Sequence, residues 1–259
     1  MYIGKLVTFE KEIFELHSAF GDFGACVAVS IAATHGLGKS DETCTDDSLK
    51  KVQLGLYGME ICHTLTIGFA KMSLIALFSL LLSPTQVRKM IIATATFIVL
   101  WTLSMLVATT VQCSPLDVWD LAHGSCINTV ALWRYFGATN ITIETLIFAT
   151  IIVFVSRLHM KKWTRVMVIS CFSVRIMDIA VTGVQLSYTE AFSSRGCALQ
   201  LDIWPWVMCS QVLQTVTIVS ACMPHLRDFL ESFPSGMFRL TEMESATMGS
   251  RSTLRQSEK

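Results

Sequence analysis

Ionisable side chains stand inside several of the longest apolar stretches of this 259-residue chain. A charged group is costly in apolar surroundings unless it is paired or faces a polar cavity, so such residues are candidates for binding or catalysis. Glu60 and His63 are three positions apart, as are Arg175 and Asp178, so each pair shares a face if its segment is helical. The candidates are Glu60, His63, Lys71, Arg134, Glu144, Arg175 and Asp178.

The spacing of these residues predicts a polar seam between segments. Lys71 follows Glu60 by 11 positions, close to three helical turns, so the two lie near the same helix face. The seam either binds a ligand or holds the segments in register by pairing within itself, and the sequence leaves both alternatives open. Arg134 lies near the end of its apolar stretch, where a long side chain can reach a polar surface.

The sequence motifs of soluble enzymes and metal sites are incomplete or absent in this chain. Residues 36–40, GLGKS, end like a phosphate-binding loop, but Ala33 stands where the first glycine is required. The sequence contains no His-Glu-x-x-His, no Cys-x-x-Cys and no Gly-x-Ser-x-Gly motif. We therefore expect no catalytic set, no metal and no cofactor, and we favour a protein that is not an enzyme.

The apolar stretches are long enough to cross a lipid bilayer, whose core needs about 20 predominantly apolar residues. The chain is 52% apolar and 15% charged, with a mean hydropathy of +0.54. It is neutral overall and its basic residues are scattered, which argues against nucleic-acid binding. We predict an all-α transmembrane bundle whose partner is the lipid bilayer. Its six spanning helices are Ile13–Ala33, Leu54–Leu82, Met90–Val111, Val130–Val155, Trp163–Leu186 and Ile203–Met223.

The charges between these stretches predict the orientation, because cytoplasmic loops are enriched in lysine and arginine. The basic intervals hold Arg88 and Lys89, then Arg157, Lys161, Lys162 and Arg165, and finally Arg227 and Arg239. The alternate intervals are acidic, with Asp41, Glu42, Asp46 and Asp47 in one and Asp117 and Asp120 in the next. Both termini are therefore expected in the cytoplasm, in either the plasma membrane or an endomembrane.

Composition along the chain predicts one membrane domain over residues 1–240 and a disordered cytoplasmic tail over residues 241–259. The tail is rich in Glu, Ser, Thr and Arg and has no apolar periodicity.

Four cysteines fall in the intervals assigned to the outer side: Cys44, Cys113, Cys126 and Cys197. Disulfides persist in oxidising compartments, so we expect at least one bridge. Longer loops gain more from closure, which favours pairing of Cys113 or Cys126 with Cys44 or Cys197. Pairing of Cys113 with Cys126 stays open.

Several segments resemble one membrane-protein family in order and spacing. They are HGLGK at 35–39, Tyr57, FAKMSLIALF at 69–78, QCSPLDVWDLAHGSCIN at 112–128, NITIETLIF at 140–148, FSVRI at 172–176 and residues 210–238. Together they resemble the fungal rhodopsin-like integral membrane proteins, which include pathogenesis-associated receptor-like proteins with seven helices. Lys71, Glu144 and Arg175 match family positions, although Glu144 stands where the family usually has aspartate.

The resemblance implies a seven-helix fold whose first helix, with the paired aspartates that follow it, is missing here, either because this member has six helices or because the gene model has lost the first. It implies a receptor-like or sensing protein with a small apolar ligand, and the sequence identifies no intracellular signalling partner. Retinal binding is not expected, because residues 203–223 contain no lysine. The alternative is a membrane enzyme or transporter of a secondary-metabolite pathway, in which Glu60, Glu144 and Asp178 line a cavity for an apolar substrate.

Overall fold

The computed structural model describes residues 2–39, 45–81, 85–113, 126–157, 162–194 and 198–232, and these ranges contain helices and no strand. The six long helices are α1 (Tyr2–Thr34), α2 (Asp46–Leu81), α3 (Thr85–Thr110), α4 (Thr129–Arg157), α5 (Lys162–Ser187) and α7 (Trp204–Ser232). A 3₁₀ helix (Thr189–Ser193) and the short α6 (Ala198–Asp202) connect α5 to α7. The all-α bundle predicted from the sequence is confirmed.

Most of the long helices extend beyond the apolar stretches that predict them. The helix α1 begins at Tyr2 instead of Ile13, and α7 continues to Ser232. Apolarity marks only the part that fits the hydrocarbon core, whereas backbone hydrogen bonding carries a helix further. Within the described ranges, four segments are both long and apolar enough to cross a membrane: Lys11–Thr34, Asp46–Leu77, Lys89–Thr110 and Ala198–Met223.

Local sequence sets several helix ends. Thr45 precedes α2, and its hydroxyl accepts from the Ser48 amide while the Ser48 hydroxyl accepts from the Thr45 amide, at 3.3 and 3.0 Å. This reciprocal pair satisfies amides that the first helical turn leaves unbonded. Asn128 caps α4 with a single bond, in which its Oδ1 accepts from the Ala131 amide at 3.0 Å. Beyond α1, Gly36 and Gly38 adopt φ angles of 117° and 79°, which favour glycine and end the helix.

Small residues let α1 and α2 approach each other closely. A Cβ added at Gly55 would lie 2.9 Å from the Ala28 carbonyl oxygen and 3.0 Å from the Ala32 Cβ. Ala25, Ala28 and Ala32 recur at helical spacing on the facing side of α1. Interfaces of this kind are typical of membrane helices, where close packing replaces the hydrophobic effect as the source of association.

The bundle is apolar outside, and its interior combines apolar and polar side chains. The side of α1 that faces away from the bundle carries exposed large apolar side chains at helical spacing: Leu16, Phe20, Phe23, Val27 and Ile31. The outer side of α3 carries exposed Phe97, Leu100, Leu103 and Val107 at helical spacing. Meanwhile, many fully buried side chains are polar or charged. This distribution fits a protein whose surroundings are lipid.

Residues Met1–Cys222 form one compact unit, and the chain from Met223 groups separately. Of that second unit, the structure describes only the last turns of α7. The predicted domain end at residue 240 and the tail 241–259 lie outside the described residues.

A disulfide joins Cys113, just after α3, to Cys126, just before α4. The expected bridge from this loop to Cys44 or Cys197 was therefore wrong for these two cysteines. The Ile127 amide donates to the Gln112 carbonyl at 2.8 Å, so the two helix ends lie side by side and bring the thiols together. Proximity of these helix ends outweighs the larger entropic gain of a longer loop. Cys44 and Cys197 lie outside the described residues.

Candidate functional site

Three of the predicted seam residues meet in the interior of the bundle. Lys71 of α2 donates from Nζ to Oε1 of Glu144 on α4, and Arg175 of α5 donates from Nη1 to Oε2 of the same carboxylate. All three side chains are at most 1% exposed. Glu144 therefore bridges two basic groups from two other helices.

Asp178 extends this arrangement to α7. Its carboxylate accepts hydrogen bonds from the hydroxyls of Thr217 and Ser220 at 2.9 and 3.3 Å. It lies one helical turn from Arg175 on α5. We call Lys71, Glu144, Arg175 and Asp178 the ionic cluster, in which two basic groups balance two acidic ones. Buried charges are tolerated when they are paired in this way.

Glu60 and His63 lie in a second buried group, apart from these contacts. The Gln112 amide donates from Nε2 to Glu60 Oε2 at 3.1 Å. Eleven residues of α2 separate Glu60 from Lys71, which is about 16 Å along the axis at 1.5 Å per residue. The two residues share a face of α2 but stand at different levels of the bundle.

Aromatic rings surround His63. Its ring centroid is 6.0 Å from that of Trp133, 5.3 Å from that of Phe136 and 6.3 Å from that of Trp206. Phe192, from the 3₁₀ helix, lies 4.9 Å from Trp206. We call His63, Trp133, Phe136, Phe192 and Trp206 the aromatic cluster.

Glu60, Gln112 and the aromatic cluster contain several buried polar atoms without a hydrogen-bond partner in the described part of the chain. They are Oε1 of Glu60, Oε1 of Gln112, both ring nitrogens of His63, and Nε1 of Trp133 and of Trp206. Trp133 lies close enough to Glu60 to interact with it, but the geometry does not meet that of a hydrogen bond. Most buried polar groups in proteins have a hydrogen-bond partner, so these atoms mark a candidate binding site.

Arg134, the remaining ionisable candidate, does not join either cluster. Its side chain is 55% exposed and pairs with Glu190 of the 3₁₀ helix. This location matches the expectation that a basic residue near a helix end reaches a polar surface.

Sequence reasoning missed the uncharged members of the polar interior. Asn140 Nδ2 donates to Thr182 at 2.9 Å, and Gln185 Nε2 donates to Ser210 at 2.7 Å. A signal for them was present, because polar residues recur at helical spacing within two apolar spans. In α5 they are Arg175, Asp178, Thr182 and Gln185; in α7 they are Ser210, Gln214, Thr217 and Ser220.

The described residues hold no group of three or more His, Cys, Asp or Glu side chains arranged to bind a metal ion. The chemistry of the interior is therefore that of ion pairs, amides, hydroxyls and aromatic rings.

Comparison with known proteins gives one match. The fungal rhodopsin domain model matches residues 13–232, a range that includes both clusters and the disulfide. No curated protein and no solved structure matches the chain. The family match covers most of the sequence and agrees with the bundle of long apolar helices. The chain therefore belongs to the fungal rhodopsin family and is a multi-pass membrane protein.

Proposed function

We propose that this protein is a receptor-like sensor of a small, largely apolar ligand and that it does not use retinal. The observation that carries the proposal is the ionic cluster, which connects α2, α4, α5 and α7 through Glu144 and Asp178. A change in one of these pairings alters the restraints on several helices at once. Packed helices with alternative pairings can switch between discrete arrangements, which is what a sensor requires.

The location of the aromatic cluster supports ligand entry from the side of the disulfide. Glu60 bonds Gln112, which adjoins Cys113 at the end of α3, and Phe192 comes from the 3₁₀ helix between α5 and α7. A ligand arriving at these helix ends would reach the aromatic cluster before the ionic cluster. The ligand would then bind at the aromatic cluster, and the helices would rearrange around the ionic cluster, at a different level of the same bundle.

Two observations support the absence of retinal. Schiff-base linkage needs an amine with a free lone pair, whereas Lys71 donates to Glu144 in a fully buried pair. The apolar part of α7, residues 204–223, contains no lysine. Purified protein incubated with all-trans-retinal is expected to show no red-shifted absorbance band and no adduct after borohydride reduction. Either signal would contradict this part of the proposal.

The sensing role is tested by ligand-induced thermal shift against a panel of apolar metabolites, with product analysis on the same samples. We expect one chemical class to raise the unfolding temperature without being converted. Glu144→Gln, which weakens the ionic cluster, is expected to leave a ligand bound in the aromatic cluster but to change the response of the helices, measured by hydrogen exchange. A panel without any stabilising compound would count against a sensor.

A membrane enzyme or transporter is the second candidate, and one observation favours it. Glu60 and His63 stand one turn apart with unbonded buried atoms, as groups that exchange protons with a substrate do. Product formation that is lost in Glu60→Gln and in His63→Phe would favour the enzyme. Movement of a compound across vesicle membranes would favour the transporter.

A further inference from the structure

We propose that Glu60, Gln112 and the aromatic cluster bind the protonated primary amine of an apolar organic molecule. This inference rests on the proposed sensing function and names the chemical class of its ligand.

Glu60 differs from the other buried carboxylates in its partners. Glu144 forms ion pairs with two basic side chains. Asp178 accepts hydrogen bonds from two hydroxyls and lies one turn from Arg175. The hydrogen bond to Glu60 comes from the neutral amide of Gln112. The Glu60 side chain is only 1% exposed, and a buried carboxylate usually has a basic partner. Within the described ranges no basic side chain pairs with Glu60, and an ammonium group on a ligand would supply that positive charge.

The unbonded acceptors match the donors of a primary ammonium, which has three N–H groups. Those acceptors are Oε1 of Glu60, Oε1 of Gln112 and one ring nitrogen of neutral His63. The hydrogen bond between Gln112 Nε2 and Glu60 Oε2 brings these two side chains together, and His63 lies one turn along α2. An alcohol has a single O–H donor and no positive charge, so it would satisfy fewer of these atoms.

The rings suit the remainder of such a ligand. Trp133 and Trp206 lie with centroids 4.6 Å apart, and Phe136 and Phe192 pack against them. Aromatic faces attract organic cations and also provide an apolar surface for the attached carbon skeleton.

The test uses the full-length protein in lipid nanodiscs at neutral pH with two probes of the same shape, 2-phenylethylamine and 2-phenylethanol. Affinities are measured by calorimetry and by quenching of tryptophan fluorescence. We expect the amine to bind at least about tenfold more tightly than the alcohol, because hydrogen bonds to charged groups are stronger than neutral ones. Glu60→Gln should remove this preference while preserving the shape of the side chain.

The matched control is Glu190→Gln, which makes the same substitution at an exposed carboxylate paired with Arg134. It should retain the preference for the amine. His63→Phe keeps an aromatic ring but removes one acceptor, and it should weaken amine binding several-fold while leaving alcohol binding unchanged. Thermal unfolding of each variant without ligand shows whether the variant is folded, so that a lost preference for the amine is not mistaken for unfolding.

Equal affinity for the two probes, no amine binding at millimolar concentration, or a preference that survives Glu60→Gln would each overturn the amine site. If the alcohol binds and the amine does not, sensing of apolar compounds stands while the amine site fails. If the amine binds through Glu60 but is converted to product, the amine site stands and the sensing role fails.

Discussion

At the residue scale, Glu144 determines how the polar interior is arranged. Its carboxylate accepts hydrogen bonds from Lys71 on one helix and Arg175 on another, so both basic side chains share one acceptor. Breaking such a pair leaves an uncompensated charge in apolar surroundings, which costs more than the pair itself contributes. The ionic cluster is therefore more sensitive to a single substitution than to its complete replacement by apolar residues.

Lys71→Met tests this sensitivity. It leaves Glu144 with one basic partner and should lower the free energy of unfolding by about 3 to 5 kcal/mol, the usual cost of removing one member of a buried pair. Unfolding in detergent, followed by circular dichroism, measures the change. Lys51→Met is the control, because Lys51 pairs with Asp47 on an exposed part of α2 and should tolerate the same substitution. Unchanged stability of Lys71→Met would mean that Lys71 reaches water or lipid headgroups.

At the element scale, close approach of helices depends on the absence of side chains at particular positions. Gly55 lies against the backbone of α1 at Ala28, so a side chain there cannot be accommodated by rotation of a neighbouring side chain alone. The pair α1 and α2 would have to separate. Interhelical packing of this kind is the main source of helix association in lipid.

We therefore expect Gly55→Leu to lower stability by roughly 1 to 3 kcal/mol or more, the usual cost of overpacking. Gly183→Leu provides the control, because Gly183 is exposed on α5 and has nothing within 4 Å of an added Cβ. Thermal unfolding of both variants in the same detergent makes the comparison. Equal effects of the two substitutions would show that α1 and α2 do not pack through Gly55.

The junction of α3 and α4 gives a second prediction at this scale. The paired substitution of Cys113 and Cys126 by serine should lower stability by up to about 3 kcal/mol, the chain-entropy gain for a loop of this length. It should also loosen Gln112, which adjoins the bridge and bonds Glu60. Peptide mapping by mass spectrometry without reduction should recover residues 113 and 126 in one linked species. Alkylation of both thiols before reduction would contradict the bridge.

At the scale of the whole molecule, orientation in the membrane stays a prediction from charge. Single cysteines introduced beside Arg88 and Lys161 should be labelled only from the cytoplasmic side, because basic loops are retained there. Cysteines beside Asp46 and Asp120 should be labelled from the opposite side. Intact cells and inverted vesicles, treated with an impermeant maleimide, separate the two cases. Labelling beside Lys161 from outside the cell would reverse the assignment.

The sequence alone determined the helical membrane architecture and the identity of the buried charges. Long apolar stretches admit few structures in lipid, because every backbone polar group must be bonded within the segment. An ionisable residue inside such a stretch must then find a partner in the interior, which is why Lys71, Glu144 and Arg175 were recognisable.

Only the tertiary structure decided which partner each residue has. Helical spacing gives the face on which Glu60 and Lys71 lie, but it does not give the level of the residues on the neighbouring helices. Glu60 therefore accepts a hydrogen bond from Gln112, just after α3, whereas Lys71 donates one to Glu144 of α4. The pairing of Cys113 with Cys126 was decided in the same way, by the proximity of two helix ends that are separated in sequence by a loop. The partner of each residue depends on how helices from distant parts of the chain align, and that alignment cannot be predicted from a local sequence pattern.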